Sequence, residues 1–492
     1  MAMRTATTPD YPVAILGAGF AGLGLAIRLK QQGRHDFVVL ERASDVGGTW
    51  RENTYPGCQC DIPSALYSFS FAPNPNWTRL FPLQEEIWDY LRDCADRYGI
   101  RPHIRFDSEV TGADWDDERG FWRLTTSQGE ITARVVVTGQ GGLSEPAPPD
   151  IPGVDSFAGT MFHSAHWDHD HDLRGERIAV IGTGASAIQF IPYVQPEAAK
   201  LTLFQRTPPW IMPHPDRPMR PFERRLFRRL PVLQKLLRGA IYTFFESRVL
   251  PFTKKPDLMK AGERIALKHM REQIPHDPEL RAKLTPGYRM GCKRILMSNT
   301  YYKALAQPNA DVVTEPIAEI RPNAIVTADG VEHEVDTIIF GTGFKVADGM
   351  AQMGVTGRDG VKLVDAWKDG PEALLGTTVA GFPNLFMIVG PNTGLGHSSM
   401  VFMVESQINY VLDAMRTVDA SRAVAIDTRQ DSQDAYNADL QRRLGKTVWS
   451  TGGCASWYLD ENGRNRTLWP GYTFSFRRRT KAIDPAHHEL IA

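Results

Sequence analysis

Val13-Ala14-Ile15-Leu16-Gly17-Ala18-Gly19-Phe20-Ala21-Gly22-Leu23-Gly24-Leu25-Ala26-Ile27 is the stretch on which the fold turns. From Tyr11 to Ile27 the chain carries no charge, a length at the edge of what crosses a bilayer. Four glycines punctuate the run, however, and Val13–Leu16 reads as a short buried strand rather than half of a spanning helix. The spacing Gly17-x-Gly19-x-x-Gly22 predicts strand, tight turn and helix. The first glycine allows the turn, the second lets backbone approach a pyrophosphate, and the third lets helix pack on strand, with phosphate at the helix N-terminus. A second apolar strand, Phe37-Val38-Val39-Leu40, ends in Glu41, whose carboxylate suits the ribose hydroxyls of an adenosine.

The pattern repeats. Arg177-Ile178-Ala179-Val180-Ile181 runs into Gly182-Thr183-Gly184-Ala185-Ser186-Ala187, with Ala187 in place of the third glycine, and the strand Leu201–Phe204 follows. At equal offset from the first glycine of each motif stand Glu41 and Arg206. A carboxylate suits a free 2′-hydroxyl and repels a 2′-phosphate, whereas a guanidinium attracts the phosphate. The first site is therefore expected to hold FAD and the second NADPH. The fold class that follows is α/β, with two Rossmann-like dinucleotide-binding domains, for FAD and NADP, and a helical insertion in the NADP domain.

Phe121–Thr126 and Ile131–Val137 read as a hairpin around Gly129 that ends at Thr138-Gly139. Ala324–Thr327 and Val335–Phe340 read the same way and end at Gly341-Thr342-Gly343. The Pro-rich stretch Glu145–Pro152 is the expected crossing into the second domain, and the strand near Ile338 the way back. The FAD domain is thus expected in two parts, 1–152 and 340–492, the latter with the C-terminal region. The NADPH domain takes 153–339, and its insertion, about 213–286, covers the active site.

With 56 Lys+Arg against 57 Asp+Glu, the net charge of −1 supplies no global field for a polyanion, so nucleic-acid binding is excluded as the main task. The 42% hydrophobic and 23% charged residues are those of an ordinary globular protein. Five cysteines, an odd number in a long chain, do not form a secreted disulfide framework. Met1–Asp10 is polar, and no cleavable signal is expected there. The expectation is a cytoplasmic protein with all five thiols free.

Two signatures narrow the chemistry. Phe157-x-Gly159-x-x-x-His163-x-x-x-Trp167-Asp168 resembles the fingerprint of the Baeyer–Villiger monooxygenases in every defined position, in a linker just before the second glycine motif. Gly47-Gly48-x-Trp50-x-x-x-x-Tyr55-Pro56-Gly57-x-x-x-Asp61 resembles that family's second signature throughout. The resemblance extends over nearly the whole chain, through Gln205-Arg206-Thr207, Lys293-Arg294 ahead of Tyr301-Tyr302, and the Gly341-Thr342-Gly343 crossing, where the family usually shows Ala-Thr-Gly. It implies a single-chain, FAD- and NADPH-dependent enzyme that inserts one oxygen atom of O2 beside a ketone carbonyl through a C4a-peroxyflavin. The segment from Cys454-Ala455-Ser456-Trp457-Tyr458 to Trp469-Pro470-Gly471 resembles the branch acting on aryl and linear ketones. The implied substrates are thus a small apolar ketone and O2.

The same resemblance assigns roles. Arg294, whose guanidinium keeps its proton, is the candidate counter-charge for the peroxide, and Asp61 orients it and holds the nicotinamide. Gly17, Gly19, Phe20, Ala21, Gly22, Glu41, Gly48, Trp50, Tyr55, Asp61, Tyr67, Val110 and Met400 fall to FAD. Gly182, Thr183, Gly184, Ala185, Ser186, Gln189, Arg206, Thr207, Lys293 and Arg294 fall to NADP, with Arg206, Thr207 and Lys293 at the 2′-phosphate.

Rival readings have specific weaknesses. His163, His166, His169 and His171, interleaved with Asp168, Asp170 and Asp172, offer zinc-type ligands, but no Cys pair or His-Glu-x-x-His helix supports them, and no metal is expected. His163 and Trp167 read instead as packed residues coupling the two domains, with His169 and His171 exposed. A flavin disulfide reductase needs two thiols beside the flavin where Trp50 and Tyr55 stand, and Cys58-x-Cys60 is too close for an unstrained bridge. The flavin monooxygenases that oxidise nitrogen or sulfur lack the Trp167-Asp168 pair. A non-catalytic NADPH sensor would leave Arg294 and Asp61 without a task. Finally, Arg217–Leu250 reads as a basic amphipathic segment that covers the substrate tunnel or makes weak peripheral contact with a membrane, without a transmembrane segment.

Overall fold

The computed structural model describes residues 8–345, 350 and 353–492; the polar start of the chain lies, up to residue 7, outside the described residues. Strands β1 (Tyr11–Leu16), β2 (Val38–Leu40), β3 (Ile104–Arg105), β4 (Val110–Asp116), β5 (Phe121–Thr126) and β6 (Gly129–Thr138) come first. The next group is β7 (Thr160–His163), β8 (Arg177–Ile181), β9 (Lys200–Phe204), β10 (Ile211–Met212), β11 (Leu296–Met297), β12 (Ala310–Val313), β13 (Ile317–Arg321), β14 (Ala324–Thr327), β15 (Glu332–Glu334) and β16 (Thr337–Phe340). Later strands are β17 (Val355–Thr356), β18 (Leu385–Met387), β19 (Ala425–Thr428) and β20 (His488–Ile491).

They build two principal sheets. One has the order β17-β4-β5-β6-β1-β2-β3, with β18 also pairing β6; the other is β12-β9-β8-β16-β7 and wholly parallel. Val13–Leu16 of β1 and Ile178–Ile181 of β8 are buried on both faces, which is why each is a continuous apolar run rather than an alternating one. Helix α1 (Phe20–Gln31) covers the first sheet, and α2 (Thr49–Glu52) and α3 (Gln84–Arg97) follow it. On its outer side α1 meets the helix Met400–Ser421, and Gly24 has only the tips of Ile408 and Phe69 for neighbours at close range. Helix α4 (Ala185–Val194) plays the same part on the second sheet.

The chain crosses between the sheets twice, and the two crossings run side by side. Ala147 N–H donates to the Gly343 carbonyl at 3.0 Å, Lys345 N–H to Glu145 at 3.0 Å, and the Thr342 hydroxyl to Ala147 at 2.7 Å. The insertion is helical: α5 (Pro221–Arg229), α6 (Pro231–Ser247), α7 (Val249–Thr253), α8 (Met259–Gln273) and α9 (Pro278–Lys283). Its base is clamped where β10 pairs β11, Ile211 opposite Leu296 and Met212 opposite Met297.

Four expectations need correction. The hairpin partner of β14 is β15, and Thr337–Phe340 instead lies between β8 and β7 in the parallel sheet. The run breaks at Asp336, whose carboxylate accepts the backbone N–H and the Nε–H of Arg177, turning the strand onto β8. Of the linker read around Phe157–His163, Thr160–His163 is an edge strand of that sheet, β7. His171 is half-buried, its imidazole within 3.0 Å of both Glu176 and Thr337. Cys292 and Cys454 form a disulfide across 162 residues, so all five thiols cannot be free. Thiol titration of the unfolded, unreduced protein should count three groups, Cys58, Cys60 and Cys94, and five after reduction. A count of five without reductant would show the bridge to be unmade.

Candidate active site

The first cradle follows from local geometry. Gly17 sits at φ +98°, a region open to glycine, and its N–H bonds the Leu40 carbonyl at 2.8 Å, hooking the end of β1 to β2. A Cβ on Gly22 would lie 1.8 Å from the Gly17 carbonyl oxygen, so the first turn of α1 can rest on β1 only without one. Gly19 and Gly48 face each other backbone to backbone beside that helix start. Glu41 is buried, with one oxygen accepting the Ala18 N–H at 2.6 Å and the other the Ala43 N–H at 3.0 Å. Burial pushes its carboxyl above the usual range, while those N–H groups and Arg51 and Arg42 pull the other way.

The second cradle repeats this with a different spacer. Gly182 has φ +111°, and a Cβ there would lie 2.4 Å from the Gly341 carbonyl oxygen. Ala187, in the third motif place, packs against Gly341, whose missing side chain supplies the room. The Thr183 hydroxyl donates to the Thr207 carbonyl at 3.0 Å, and that of Ser164 to Ser186 at 3.0 Å. Arg206 follows β9, and Lys293 lies just before β11, so the β10–β11 pairing carries the two cations toward each other. The Lys293 ammonium is held below its ordinary range, first by burial and then by the Arg206 charge. Two neighbouring cations suit a dianion such as a phosphate monoester.

Between the cradles stand Arg294 and Asp61. Arg294 Nε and Nη2 each donate to the Asp61 carboxylate at 2.7 Å, a bidentate fork, and Nη1 reaches the Leu395 carbonyl at 3.5 Å. Asp61 raises the guanidinium further above its already high range, so the charge is permanent. The Tyr458 hydroxyl is pushed up to about 12 by burial against the pull of Arg294. Tyr55 donates to Gln189 at 3.0 Å, and Gln189 in turn donates to the Gln59 carbonyl at 2.9 Å, tying α4 to the first-sheet loop. Trp50 Nε1 donates to the Tyr67 hydroxyl at 3.1 Å, and Tyr67 packs edge-on against Phe20.

A continuous cavity of about 1740 Å³ joins all of these. Its walls include every residue expected at either cofactor, from Gly17 through Ala21, Val110 and Met400 to Gly184, Ala185 and Thr207, with one exception: Gly22 lies beneath the wall as packing. The volume exceeds the few hundred to a thousand Å³ of ordinary ligand pockets and leaves space for two dinucleotides and a small substrate. Cys58 and Cys60 also face it, but burial pushes the Cys58 thiol up to about 12 and raises Cys60 as well, which is unsuited to the thiolate chemistry of a disulfide reductase.

The fingerprint residues do not touch the cavity. Phe157 is buried under the second sheet, and a Cβ on Gly159 would meet the Asp336 carbonyl at 2.2 Å. Trp167 wedges between Phe162 and Phe190, and Asp168 accepts the N–H groups of Asp170 and His171 in a turn. The His163 imidazole, held down to about 4 chiefly by burial, packs against Phe344 at the return crossing. Among the described residues no three His, Cys, Asp or Glu side chains converge as a metal site requires. Sequence reasoning missed a second polar wall: Asp216 accepts from Arg79 at 2.6 Å, from Gln59 at 2.8 Å and from the Phe81 N–H at 3.1 Å. Its partners are more than 130 residues away in sequence, and no local spacing signals them.

The family model described as pyridine nucleotide-disulphide oxidoreductase matches residues 14–254. A Baeyer–Villiger monooxygenase of Streptomyces coelicolor is 54% identical over 97% of this chain and 92% of its own length, and one of Pseudomonas aeruginosa is 53% identical over 100% and 94%. The closed crystal structure of cyclohexanone monooxygenase superposes with a TM-score of 0.88 at 28% identity, covering 99% of this chain and 100% of that one. The oxidised steroid monooxygenase bound to NADP gives 0.87 at 30% identity, over 98% and 100%. Identity at more than half of all positions along nearly the full length of both chains, carried on a backbone that follows these enzymes from end to end, makes this chain a member of the Baeyer–Villiger monooxygenase family.

Proposed function

We propose that this chain binds FAD and NADPH and inserts one oxygen atom of O2 beside the carbonyl of a small apolar ketone, giving an ester or lactone. The observation that carries this reading is the bidentate Arg294–Asp61 pair, placed in the same cavity as both glycine cradles. The residues fit both cofactors: each cradle is a backbone surface that a Cβ would fill, one with a carboxylate at the ribose position and the other with two converging cations. When bound, NADPH supplies the electrons and FAD the chemistry that activates O2.

The chain's own residues supply the rest. Gly17, Gly19 and the start of α1 hold a pyrophosphate, and Glu41 holds ribose hydroxyls. Gly48, Trp50, Tyr55, Tyr67, Val110 and Met400 bound the flavin. Gly182–Ser186 hold the second pyrophosphate, and Arg206, Thr207 and Lys293 the 2′-phosphate. Arg294 stabilises negative charge that develops on oxygen as it is transferred to the carbonyl, and Asp61 positions the fork. In domain terms the FAD part is 1–152 with 340–492 and the NADPH part 153–339, a division supported by the doubled crossing. The resemblance of the Cys454–Gly471 segment, whose Trp457 and Tyr458 lie on the cavity wall, supports aryl and linear ketones as the substrate class.

NADPH oxidation should rise on adding such a ketone, and under ¹⁸O₂ the ester should gain one labelled oxygen. Sulfoxide or N-oxide as the sole labelled product would transfer the chain to the other flavin monooxygenase chemistry. The coenzyme assignment has its own test. Arg206→Ala removes charge-assisted hydrogen bonds each worth about 1.5–3 kcal/mol, so the KM for NADPH should rise about ten- to a hundredfold. NADH kinetics should barely move; equal losses for both coenzymes would sink the assignment.

A further inference from the structure

No helix among the described residues is long and apolar enough to cross a membrane, yet the insertion carries an apolar face of another kind. Helix α6 is apolar on two sides. Its inner side is spoken for: Gln234 donates to the Asn74 carbonyl, Arg238 to those of Ala65 and Ser68, Tyr242 stacks on Phe402, and Phe245 and Glu246 are buried. Its outer side is exposed, apart from the Arg248 guanidinium 5.5 Å from the Phe244 ring. Val232, Leu236 and Phe244, on one helical stripe, remain 58%, 64% and 61% exposed. Helix α5 adds Phe222 and Leu226, and Leu230 follows at the same four-residue spacing between the two helices, all exposed, and the two helices pack together.

Charge decides what covers this face. From Arg217 to Arg248 there are nine Arg and Lys against two Glu, in a chain whose net charge is −1. Both carboxylates are engaged: Glu223 with Arg217 and the Arg220 N–H, Glu246 with Thr473. Arg225, Arg228, Arg229 and Lys235 are exposed beside the apolar stripes, with no acidic partner among the described residues. A second copy of this face would bring like charges together, whereas a surface of anionic headgroups over acyl chains meets both the cations and the stripes.

We propose that α5 and α6 form a peripheral docking surface for anionic lipid membranes. The two helices lie in the headgroup plane, with Leu226, Leu236 and Phe244 entering the acyl boundary and the arginines on phosphates. Co-sedimentation of the full-length holoenzyme tests this, with phosphatidylcholine vesicles alone and with about a third phosphatidylglycerol. Binding should require the anionic lipid and reverse in about 0.5 M salt. Each arginine contributes about fivefold, so the triple change Arg225→Gln, Arg228→Gln, Arg229→Gln should weaken binding about a hundredfold. Leu236→Asp should weaken it at least about tenfold. NADPH oxidation in vesicle-free solution should be unchanged in both variants, which reports their folding. Failure of the parent enzyme to sediment with anionic vesicles would overturn the proposal. So would a dimer in solution that Leu236→Asp converts to monomer, since the face would then belong to a second copy.

Discussion

Arg294→Ala is expected to keep oxidising NADPH while its ester yield falls by a factor of about a hundred to a thousand. Arg294 is one of the residues expected at NADPH, but Gly182–Ser186, Gln189, Arg206, Thr207 and Lys293 all remain to hold the coenzyme, so electrons still enter. What is lost is a permanent cation in a cavity flanked by Tyr458, Leu395 and Trp457. Transfer of oxygen to a carbonyl develops negative charge on oxygen, and a preorganised charge in a site poor in water stabilises it far more than solvent does. Without that charge the electrons leave as hydrogen peroxide. The variant also leaves Asp61 with neither of its Arg294 hydrogen bonds, so Asp61→Asn in the Arg294→Ala background separates the missing cation from the stranded carboxylate. Arg294→Lys should rescue little, because an ammonium on a flexible stem cannot reproduce the two-point fork on Asp61. Assaying NADPH, hydrogen peroxide and ester in one reaction decides the matter: ester in proportion to NADPH would remove Arg294 from the oxygen-transfer step.

Gly22→Ala should yield a protein that purifies without flavin. The added methyl would lie 1.8 Å from the Gly17 carbonyl oxygen, a backbone atom in a turn fixed by its own bond to Leu40. Neither side can give, so α1 must lift off β1, and the N–H groups at its start leave their place. Each charge-assisted hydrogen bond to a phosphate is worth about 1.5–3 kcal/mol, so losing two costs FAD affinity about a hundredfold or more. Gly24→Ala, two residues on in the same helix, is the control. Its methyl would meet the tips of Ile408 and Phe69 at 2.9 Å, side chains that can rotate away, and the flavin should stay. The ratio of visible to ultraviolet absorbance after purification reads both; a yellow Gly22→Ala protein would show that α1 does not set the FAD cradle.

The contrast between these residues marks how far sequence reading reaches. The turn at Gly17 and the packing at Gly22 are legible because strand, turn and helix are neighbours in the chain, and the Gly17 bond to Leu40 and the Gly22 contact with Gly17 are met within about twenty-five residues, whereas the close approach of Gly182 to Gly341 is made from 159 residues away. Lys293 and Arg294 were legible only through the family resemblance; by themselves they are a basic pair. The bond of Cys292 to Cys454 and the Arg79–Asp216–Gln59 wall were not legible, since the pairing is made by tertiary approach across 162 and up to 157 residues. The Val335–Phe340 run misled because its apolar pattern fits a hairpin and a buried parallel strand equally, and the choice is made by Asp336 reaching Arg177.

The pairing of β18 with β6 has a consequence for biosynthesis. Val136–Thr138 of β6 receive Leu385–Met387 as their neighbours, which leave the ribosome about 250 residues later. At about 5–20 residues per second, that apolar edge waits on the order of ten to fifty seconds for its partner, while the whole second sheet is made and can close on itself. An unpaired parallel edge is an invitation to other nascent chains. Chains released before residue 385 are therefore expected to aggregate through the first sheet even when the second is sound, and slower initiation or a holding chaperone should raise soluble yield more than any change to the cavity.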